Sequence, residues 1–455
     1  MFNGASFILE KIVAALWGPA TIVLFLAAGV YFTLLLGIPQ LFGVKQWLLA
    51  PLKTLFSRDR NKGLLCTVLA ATAGTGNIVG VAAALMAGGA GAVFWMWVSA
   101  FFGMALGYAE NLLGMHYRKQ KKGKYYGSAA FYIEKGLKSK PLAVVFSIAC
   151  ALAAFGIGNL TQGNSLAGGI VAAAEGMGVK INPIFIGLAA AAISAPAILG
   201  GKDGIEKAAV RIVPAVVTVF LALSIIIICK NYKNVFSAIA LIFGQAFNSK
   251  SVFGGVAGYG ISAVIRTGLS RGLFSHEAGM GSSVGVHAAY EGDNPVQTGF
   301  FSMFEVFVDT VVVCTLTALV IISSGAYENI GQITDAAQLV SLAFWSVFGS
   351  AGSFLVAVLL SLFGIATILG WCCFGQTALS YVTEKGALFY KITYTAAIPL
   401  GCVLNMQICW YLSDIFNWLM AIINIFAMVM LSHKVFEISR KGKCKNGTKK
   451  GSGNT

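Results

Sequence analysis

Charged side chains are scarce in this chain. They make up 11% of its 455 residues, against about 25% in an ordinary soluble domain. Hydrophobic residues reach 57% and the mean hydropathy is +0.80. A soluble enzyme of that composition would aggregate, so the chain is read as a polytopic membrane protein. Acids are fewer still, with 17 Asp and Glu in all. No nucleophile, base and orienting residue fall together, which argues against an enzyme. Nine cysteines are present, yet no CxxC or Cys/His spacing suited to a metal. Most of them lie inside apolar runs, where a thiol is simply a small apolar side chain. Cys444, in a basic tail, is the one expected to be freely reactive. The start of the chain lacks a basic n-region and a cleavage pattern after a short apolar core. Its first apolar run, Ala14 to Gly37, can span a hydrocarbon core of roughly 30 Å and reads as an uncleaved transmembrane helix.

What the chain does have is apolar runs. Eleven spans are expected, near 14–37, 64–88, 91–116, 141–175, 182–200, 207–230, 253–289, 297–323, 350–380, 387–408 and 411–433. The stretch 335–349 reads as a short external helix or loop. The 54 glycines suit close helix packing in lipid. Most of the 32 Lys and Arg fall in the 38–63 loop, the 117–140 loop, the 201–211 turn, the connection around Lys385 and Lys391, and the C-terminal tail. By the positive-inside rule the N-terminus is then outside and the C-terminus cytoplasmic. The net charge of +15 is thus topological, with some attraction to anionic lipid heads. It is not read as the footprint of a nucleic-acid partner. The segment Lys441–Thr455 is polar and Gly/Lys-rich, and is expected to be disordered.

Two of the spans are interrupted. The second carries Ala73-Gly74-Thr75-Gly76-Asn77, and the seventh carries Gly272-Leu273-Phe274-Ser275-His276-Glu277-Ala278-Gly279-Met280-Gly281. In hydrocarbon an unpaired backbone group costs several kcal/mol, so a broken helix persists only against protein or around a polar ligand. With the first span set aside, spans 2–6 and 7–11 form two groups of five, each opening on a break. An odd repeat length inverts the second copy, which is the plan of secondary transporters with a site at the midplane. The organisation expected is residues 1–63 as an N-terminal helix and cytoplasmic loop, 64–232 and 233–433 as five-helix repeats, and 434–455 as a basic disordered tail.

The breaks carry the chemistry. Gly74 and Gly76 leave helical dihedrals cheaply. The half-helix that starts there offers free N–H groups and a positive dipole end to a carboxylate. Carbonyls near Ala70 to Ala73 suit a monovalent cation, and Asn77 supplies both a donor and an acceptor. The alternative is a packing kink with Asn77 bonded to a neighbouring helix. A nucleotide loop is disfavoured, because Gly-Lys-Ser/Thr is missing. At the second break Phe274 is a candidate wall, and Gly279 and Gly281 permit close approach of a ligand. Glu277 and His276 need partners at membrane depth, and Arg271 is the expected partner of Glu277. Asn159, Gln162 and Ser165 form a polar stripe, with Gln162 a donor to a carboxylate or, alternatively, a helix–helix bond. Thr367 is a hard-cation or ammonium acceptor, and Trp371 shares its face as a cap or as ordinary packing. Glu110 with Tyr108, and Glu305 with Asp309, are read as gate, proton-relay or structural acids. His116, His287 and His433 are expected at interfaces.

These stretches resemble the signature of the alanine/glycine:cation symporter family. The residues that carry the resemblance are Gly74-Thr75-Gly76-Asn77-Ile78-Val79-Gly80-Val81-Ala82, Phe94-Trp95-Met96-Trp97, Gly103-Met104 and Tyr108-Ala109-Glu110. Arg271-Gly272-Leu273-Phe274-Ser275, Glu277-Ala278-Gly279-Met280-Gly281-Ser282, Asp309-Thr310 and Thr367-Ile368-Leu369-Gly370-Trp371 complete it. It covers the chain from about residue 60 to 430. The resemblance implies an all-α five-plus-five inverted repeat like that of the neurotransmitter:sodium symporters, plus one N-terminal helix. It implies sodium-coupled uptake of alanine or glycine, sometimes D-alanine. The compactness of the chain is of bacterial type, from which a bacterial plasma (inner) membrane is expected. The implied carboxylate site is Gly74, Thr75, Gly76 and Asn77 with Gln162. The implied ammonium site is Thr367 and the 274–281 backbone, including Ser275, Gly279 and Met280. The small side chain would meet Phe155, Phe274 and Trp371. Sodium would lie among Ala70, Ala73 and the Thr367 hydroxyl, and no organic cofactor is implied. Ala366 stands where the family has a second hydroxyl, and His276 where it has Asn. A titratable imidazole there leaves proton coupling, or a carrier of another small solute, as the alternative.

Overall fold

The computed structural model describes residues 2–247 and 261–451 apart from 58, 60, 122, 334 and 384, with the side chains of 2–6, 121 and 443–451 left aside. The expected start of the seventh span at Phe253, and the basic residues Arg58, Arg60, Lys122 and Lys250, lie outside the described residues. The side chain of Cys444 does too.

The chain is helical almost throughout. It opens with α1 (Phe2–Leu16), α2 (Pro19–Leu35), α3 (Pro39–Phe42) and α4 (Val44–Phe56). The first broken span follows as α5 (Lys62–Thr72) and α6 (Val79–Gly88), then α7 (Gly91–Tyr117). A hairpin of β1 (Lys119–Lys121) and β2 (Lys124–Tyr126), unforeseen in the basic loop, pairs antiparallel. Next come α8 (Ala129–Gly136), α9 (Lys140–Phe155), α10 (Thr161–Glu175), α11 (Pro183–Leu199), α12 (Gly201–Lys230) and α13 (Tyr232–Ala246). The second break lies between α14 (Ile261–His276) and α15 (Val284–His287). The chain closes with α16 (Pro295–Val306), α17 (Thr315–Ser323), α18 (Ala336–Phe348), α19 (Ser350–Val382), α20 (Ala387–Val403), α21 (Met406–Met430) and α22 (Ser432–Gly451). Two π-helical turns, Gly156–Leu160 and Phe307–Cys314, join α9 to α10 and α16 to α17.

Among the described residues seven helical stretches are long and apolar enough to cross a membrane, or eight with the bent pair α5–α6 counted as one. The expected spans at 182–200 and 387–408 are α11 and α20, shorter apolar helices of 17 residues each. The stretch near 335–349 is indeed the short apolar helix α18. The tail departs from expectation: the chain from 434 onward continues as α22 to Gly451 rather than losing structure. Lys434 and Lys441 flank Glu437 at 2.8 and 2.6 Å, and these i,i+3 and i,i+4 pairs favour the helix.

Helix starts follow local chemistry. Asn182, Asn294, Asp335 and Asn405 each cap a helix by accepting a backbone N–H two residues on. Proline stands at the first turn after Asn182 and Asn294, where a missing N–H costs nothing. Large apolar side chains such as Phe185, Phe236 and Phe389 project outward, as on a lipid-facing surface. The interior holds the polar residues. Asn77, Asn159, Asp309, Asn417 and Asn424 are fully buried beside Trp371, Tyr108 and Tyr394. At the centre, α5 and α19 are in direct contact. A Cβ on Gly370 would lie 2.5 Å from the Ala71 nitrogen, so only glycine allows this crossing.

Candidate functional site

At the first break α5 and the helix resuming at Thr75 meet at 53°. Ala73 and Gly74 leave the helix, and Thr75–Asn77 form one tight turn before α6. The freed amides are not left bare. Gly74 N–H donates to Asn77 Oδ1 at 3.2 Å, and Thr75 donates its N–H and hydroxyl to Gln162 Oε1 at 3.2 and 2.8 Å. Gln162 donates in turn to the Ile157 carbonyl within the π-turn, at 2.9 Å. On the other side of the gap Thr367 donates its hydroxyl to the Ala70 carbonyl at 2.9 Å. A Cβ on Gly74 would stand 2.4 Å from Thr367 Oγ1 and 3.3 Å from Gln162 Oε1. Gly74, Gln162, Thr367 and Ala70 are therefore brought together in one cluster. No bond of the Ala73 carbonyl ties it to Thr367.

The second break is held more tightly. Glu277, Gly279 and Gly281 have φ of 55°, 87° and 75°. For a glutamate that left-handed conformation is strained, and it persists only where the surroundings enforce it. Trp371 Nε1–H donates to Glu277 Oε1 at 2.8 Å, and the Ser282 hydroxyl donates to Oε2 at 3.0 Å. Glu110 accepts from Gly281 N–H at 2.9 Å and from the Asn424 amide at 2.7 Å. Asn424 also donates to the Gly279 carbonyl at 3.0 Å and accepts from Tyr132. His276 Nδ1 accepts from Ala278 N–H at 3.1 Å, which places the ring proton on Nε2, 3.0 Å from the Ser99 hydroxyl.

Asp309 joins the two breaks. It sits in the π-turn Phe307–Cys314 and is fully buried. Asn77 donates to its Oδ1 at 2.6 Å and to its backbone carbonyl at 3.0 Å. Ser275 and Thr310 donate hydroxyls to its Oδ2 at 2.6 and 2.9 Å. Three neutral donors converge on the carboxylate, and among the described residues no Lys or Arg pairs with it. Around it the carboxylate and the two hydroxyls present oxygens, while Asn77 turns its amide nitrogen to the acid.

Several expectations are corrected here. Arg271 does not pair with Glu277. Glu277 follows the end of α14 with φ of 55° and is turned away from the helix's line of side chains, and the Arg271 guanidinium lies 4.3 Å over Trp410 instead. Phe155 turns its ring to Tyr390 and Tyr394 at 5.4 and 5.3 Å, and Trp371 turns to Phe374 at 5.4 Å. Neither makes a ring contact with Phe274 among the described residues. Phe274 is paired with Trp410 at 4.4 Å, and Gly76 also stands against it, where a Cβ would meet the ring at 3.7 Å. Trp410 was missed by the sequence reading. The available signal was Asp414, an acid one helical turn on in an apolar run. The stripe on the fourth span serves helix packing in part: Asn159 donates to the Tyr394 carbonyl of α20 at 2.6 Å, while Ser165 donates within its own helix to the Thr161 carbonyl at 2.9 Å. His287 is not interfacial. It is buried, with Nε2 2.9 Å from Glu305 Oε2. Met280 is fully buried and lines, with Phe274, a cavity of about 260 Å³.

The comparisons agree with this architecture. The sequence model of the sodium:alanine symporter family matches residues 3–452. A relative in Methanococcus maripaludis, the sodium/alanine symporter AgcS, is 36% identical, with 94% of this chain and 97% of that protein covered. The probable sodium/glutamine symporter GlnT of Bacillus subtilis is 34% identical over 94% of this chain and 90% of its own. An uncharacterized transporter of Haemophilus influenzae is 37% identical over 94% of each chain. Among solved structures, MhsT in complex with L-phenylalanine superposes with a TM-score of 0.57 at 15% identity, over 82% of this chain and 89% of that one. At that identity the likeness speaks for the fold alone. With a whole-length family match and relatives above a third identical, this multi-pass membrane protein is a transporter, not an enzyme, and belongs to the sodium:alanine symporter family.

Proposed function

We propose that the chain couples sodium entry to the uptake of a small neutral amino acid (alanine or glycine, D-alanine included) by alternating access. One observation carries this reading. The Asp309 carboxylate holds Asn77 of the first break and Ser275 of the second on its two oxygens, with no basic partner among the described residues. A sodium ion there balances the buried charge and locks both breaks together. A second ion position is the Ala70 carbonyl and Thr367 hydroxyl, with Ala73 adjoining. The amino acid's carboxylate displaces Gln162 or Asn77 from the amides of Gly74 and Thr75, where the half-helix dipole favours a negative charge. Its ammonium faces Ser275, the 274–281 backbone and Thr367. Its side chain lies in the gap between Gly76 and Phe274. Inward movement of one net positive charge gains about 2.3 kcal/mol per 100 mV.

The architecture fits five plus five helices. The break α5–α6 answers to α14–α15, α7 to α16–α17, α9–α10 to α19, α11 to α20 and α12 to α21. Counterparts pack on one another, α7 on α16, α10 on α19 and α11 on α20, as a twofold axis through the site would have it. Helices of 17 residues lie at the lower limit of a span, which supports a reading of eleven spans; the distribution of Lys and Arg supports an N-terminus outside and a C-terminus in the cytoplasm. The buried His287–Glu305 pair, one helical turn below Asp309, favours proton as the alternative coupling ion. Labelled-alanine uptake into proteoliposomes under separate sodium and proton gradients decides between them. Counterflow with longer amino acids, or with other small solutes, decides the substrate.

A further inference from the structure

We propose that the cavity between α1, α14 and α21 is a separate binding site for a zwitterionic amino acid, distinct from the site between the breaks. This rests on the reading of the chain as an amino-acid symporter. The cavity measures about 260 Å³ and is lined by Glu10, Arg266, Arg271 and Asp414 over a floor of Phe274 and Met280. That volume is just below the range of about 300–1,000 Å³ seen for drug-sized ligands, which suits a small amino acid with a few waters.

The charges of the lining are complementary to a zwitterion. Two guanidinium groups come from α14, and two carboxylates come from α1 and α21. Arg271 and Asp414 lie within electrostatic reach of each other, yet no ion pair joins them directly. The Arg271 guanidinium rests on the face of Trp410, an arrangement that leaves its edge N–H groups free. Asp414 is tied down only by its backbone, whose carbonyl accepts the Trp17 indole N–H at 3.0 Å. A fork of N–H donors matches a carboxylate, and a pair of acids matches an ammonium. An anion or a cation alone would leave two like charges facing it, so the lining discriminates against both.

Phe274 belongs to both places. A Cβ on Gly76 would meet its ring at 3.7 Å, and the same residue lines this cavity. An amino acid held there must displace Phe274 and Trp410 together to reach Gly76. Arg271, which rests on Trp410, thereby links occupancy of the cavity to the position of that pair. No part of the cavity lining resembles a sodium site, because the guanidinium groups repel a second cation. Binding here is therefore independent of sodium.

The test is equilibrium binding of labelled alanine to the purified full-length protein in lipid nanodiscs, with sodium or with choline. Two saturable components are expected in sodium, and one, of lower affinity, in choline. Asp414→Asn and Glu10→Gln weaken the choline component about tenfold, the scale of a lost charge pair. Persistence of the sodium-dependent component shows that the variants fold. Glu10 is exposed, so its substitution does not threaten the core. Propionate and ethylamine, each carrying one of the two charges, fail to displace alanine from the choline component. A single, sodium-dependent component in the wild type overturns this proposal and leaves the symporter reading standing. So does a choline component that both substitutions leave unchanged. Absence of alanine binding in either salt overturns both.

Discussion

Asn77 and Asp309 are 232 residues apart in sequence, and the Asn77 amide donates to the Asp309 carboxylate at 2.6 Å. The bond runs from the unwound turn of one helix to the π-turn of another. Ser275, at the end of α14, holds the second oxygen of the same carboxylate. The residues that break two helices thus share one acid.

Asp309→Asn keeps the size and most of the hydrogen bonds but removes the charge. It should raise the sodium concentration for half-maximal uptake at least about tenfold, a loss of about 1.4 kcal/mol, while the protein still elutes as a folded species. Asp309→Ala removes the shared acceptor: Asn77 keeps only the backbone carbonyl of residue 309, Ser275 only the Cys314 sulfur, and the Thr310 hydroxyl is left unpaired, at about 1–3 kcal/mol for a buried group. Its melting temperature in detergent should fall well below that of the Asn variant. Equal sodium dependence in wild type and Asp309→Asn would remove Asp309 from the ion site.

Gly74 and Gly76 should respond differently to alanine. The new methyl at 74 collides with Thr367 Oγ1 at 2.4 Å, while the one at 76 makes an ordinary contact with Phe274 at 3.7 Å. Gly74→Ala is expected to abolish uptake. Gly76→Ala should fold and transport, but with the gap narrowed it should raise KM for alanine more than for glycine. Paired uptake curves for the two substrates check this.

Phe274 and Trp371 should part company as well. Phe274 borders the gap opposite Gly76, so Phe274→Ala should admit longer side chains, read by counterflow. Trp371 is fully buried and holds Glu277 through its indole N–H at 2.8 Å. Trp371→Phe keeps the packing and leaves one Glu277 oxygen unpaired, a cost of about 1–3 kcal/mol. The expected result is a lower melting temperature with an unchanged substrate range. If Trp371→Phe admits bulky amino acids, the indole belongs to the pocket wall after all.

Arg118 is the residue to probe on the opposite side from Arg271. Its guanidinium donates to the carbonyls of Tyr290 and Gly292, both at 2.7 Å, and stacks 3.5 Å over Tyr125. It ties the end of α7 and the hairpin to the loop after α15. Arg118→Lys keeps the charge but loses the fork and the stacking. Trypsin should then cut the 117–126 segment faster in reconstituted protein, with sodium affinity unaltered.

The first break was legible because its residues are cheap to unwind and carry polar groups that an apolar span does not otherwise hold. The meeting of Ala70 with Thr367 was legible only through the family resemblance, since nothing local connects residues so far apart. Arg271 and Glu277 were paired from proximity in sequence, and that failed. Glu277 lies beyond the last turn of α14, with φ of 55°, and its partner comes from α19. Asp309 stood out as an acid in an apolar run, but its role as the junction depends on which face of the π-turn meets Asn77. Trp410 was unremarkable in sequence, because an indole near a span end is ordinarily an interface anchor. The tail was read from its composition, and Glu437 between two lysines was overlooked as a helix signal.

The most direct measurement is labelled-alanine uptake into proteoliposomes with an imposed inward sodium gradient, for wild type and Asp309→Asn side by side, with a proton gradient as the control. Sodium-driven accumulation in the wild type that shifts to much higher sodium in the variant, with no response to protons, is the result expected. Accumulation driven by protons alone, or a variant that follows the wild-type sodium curve, contradicts a sodium ion held at the junction of the two breaks.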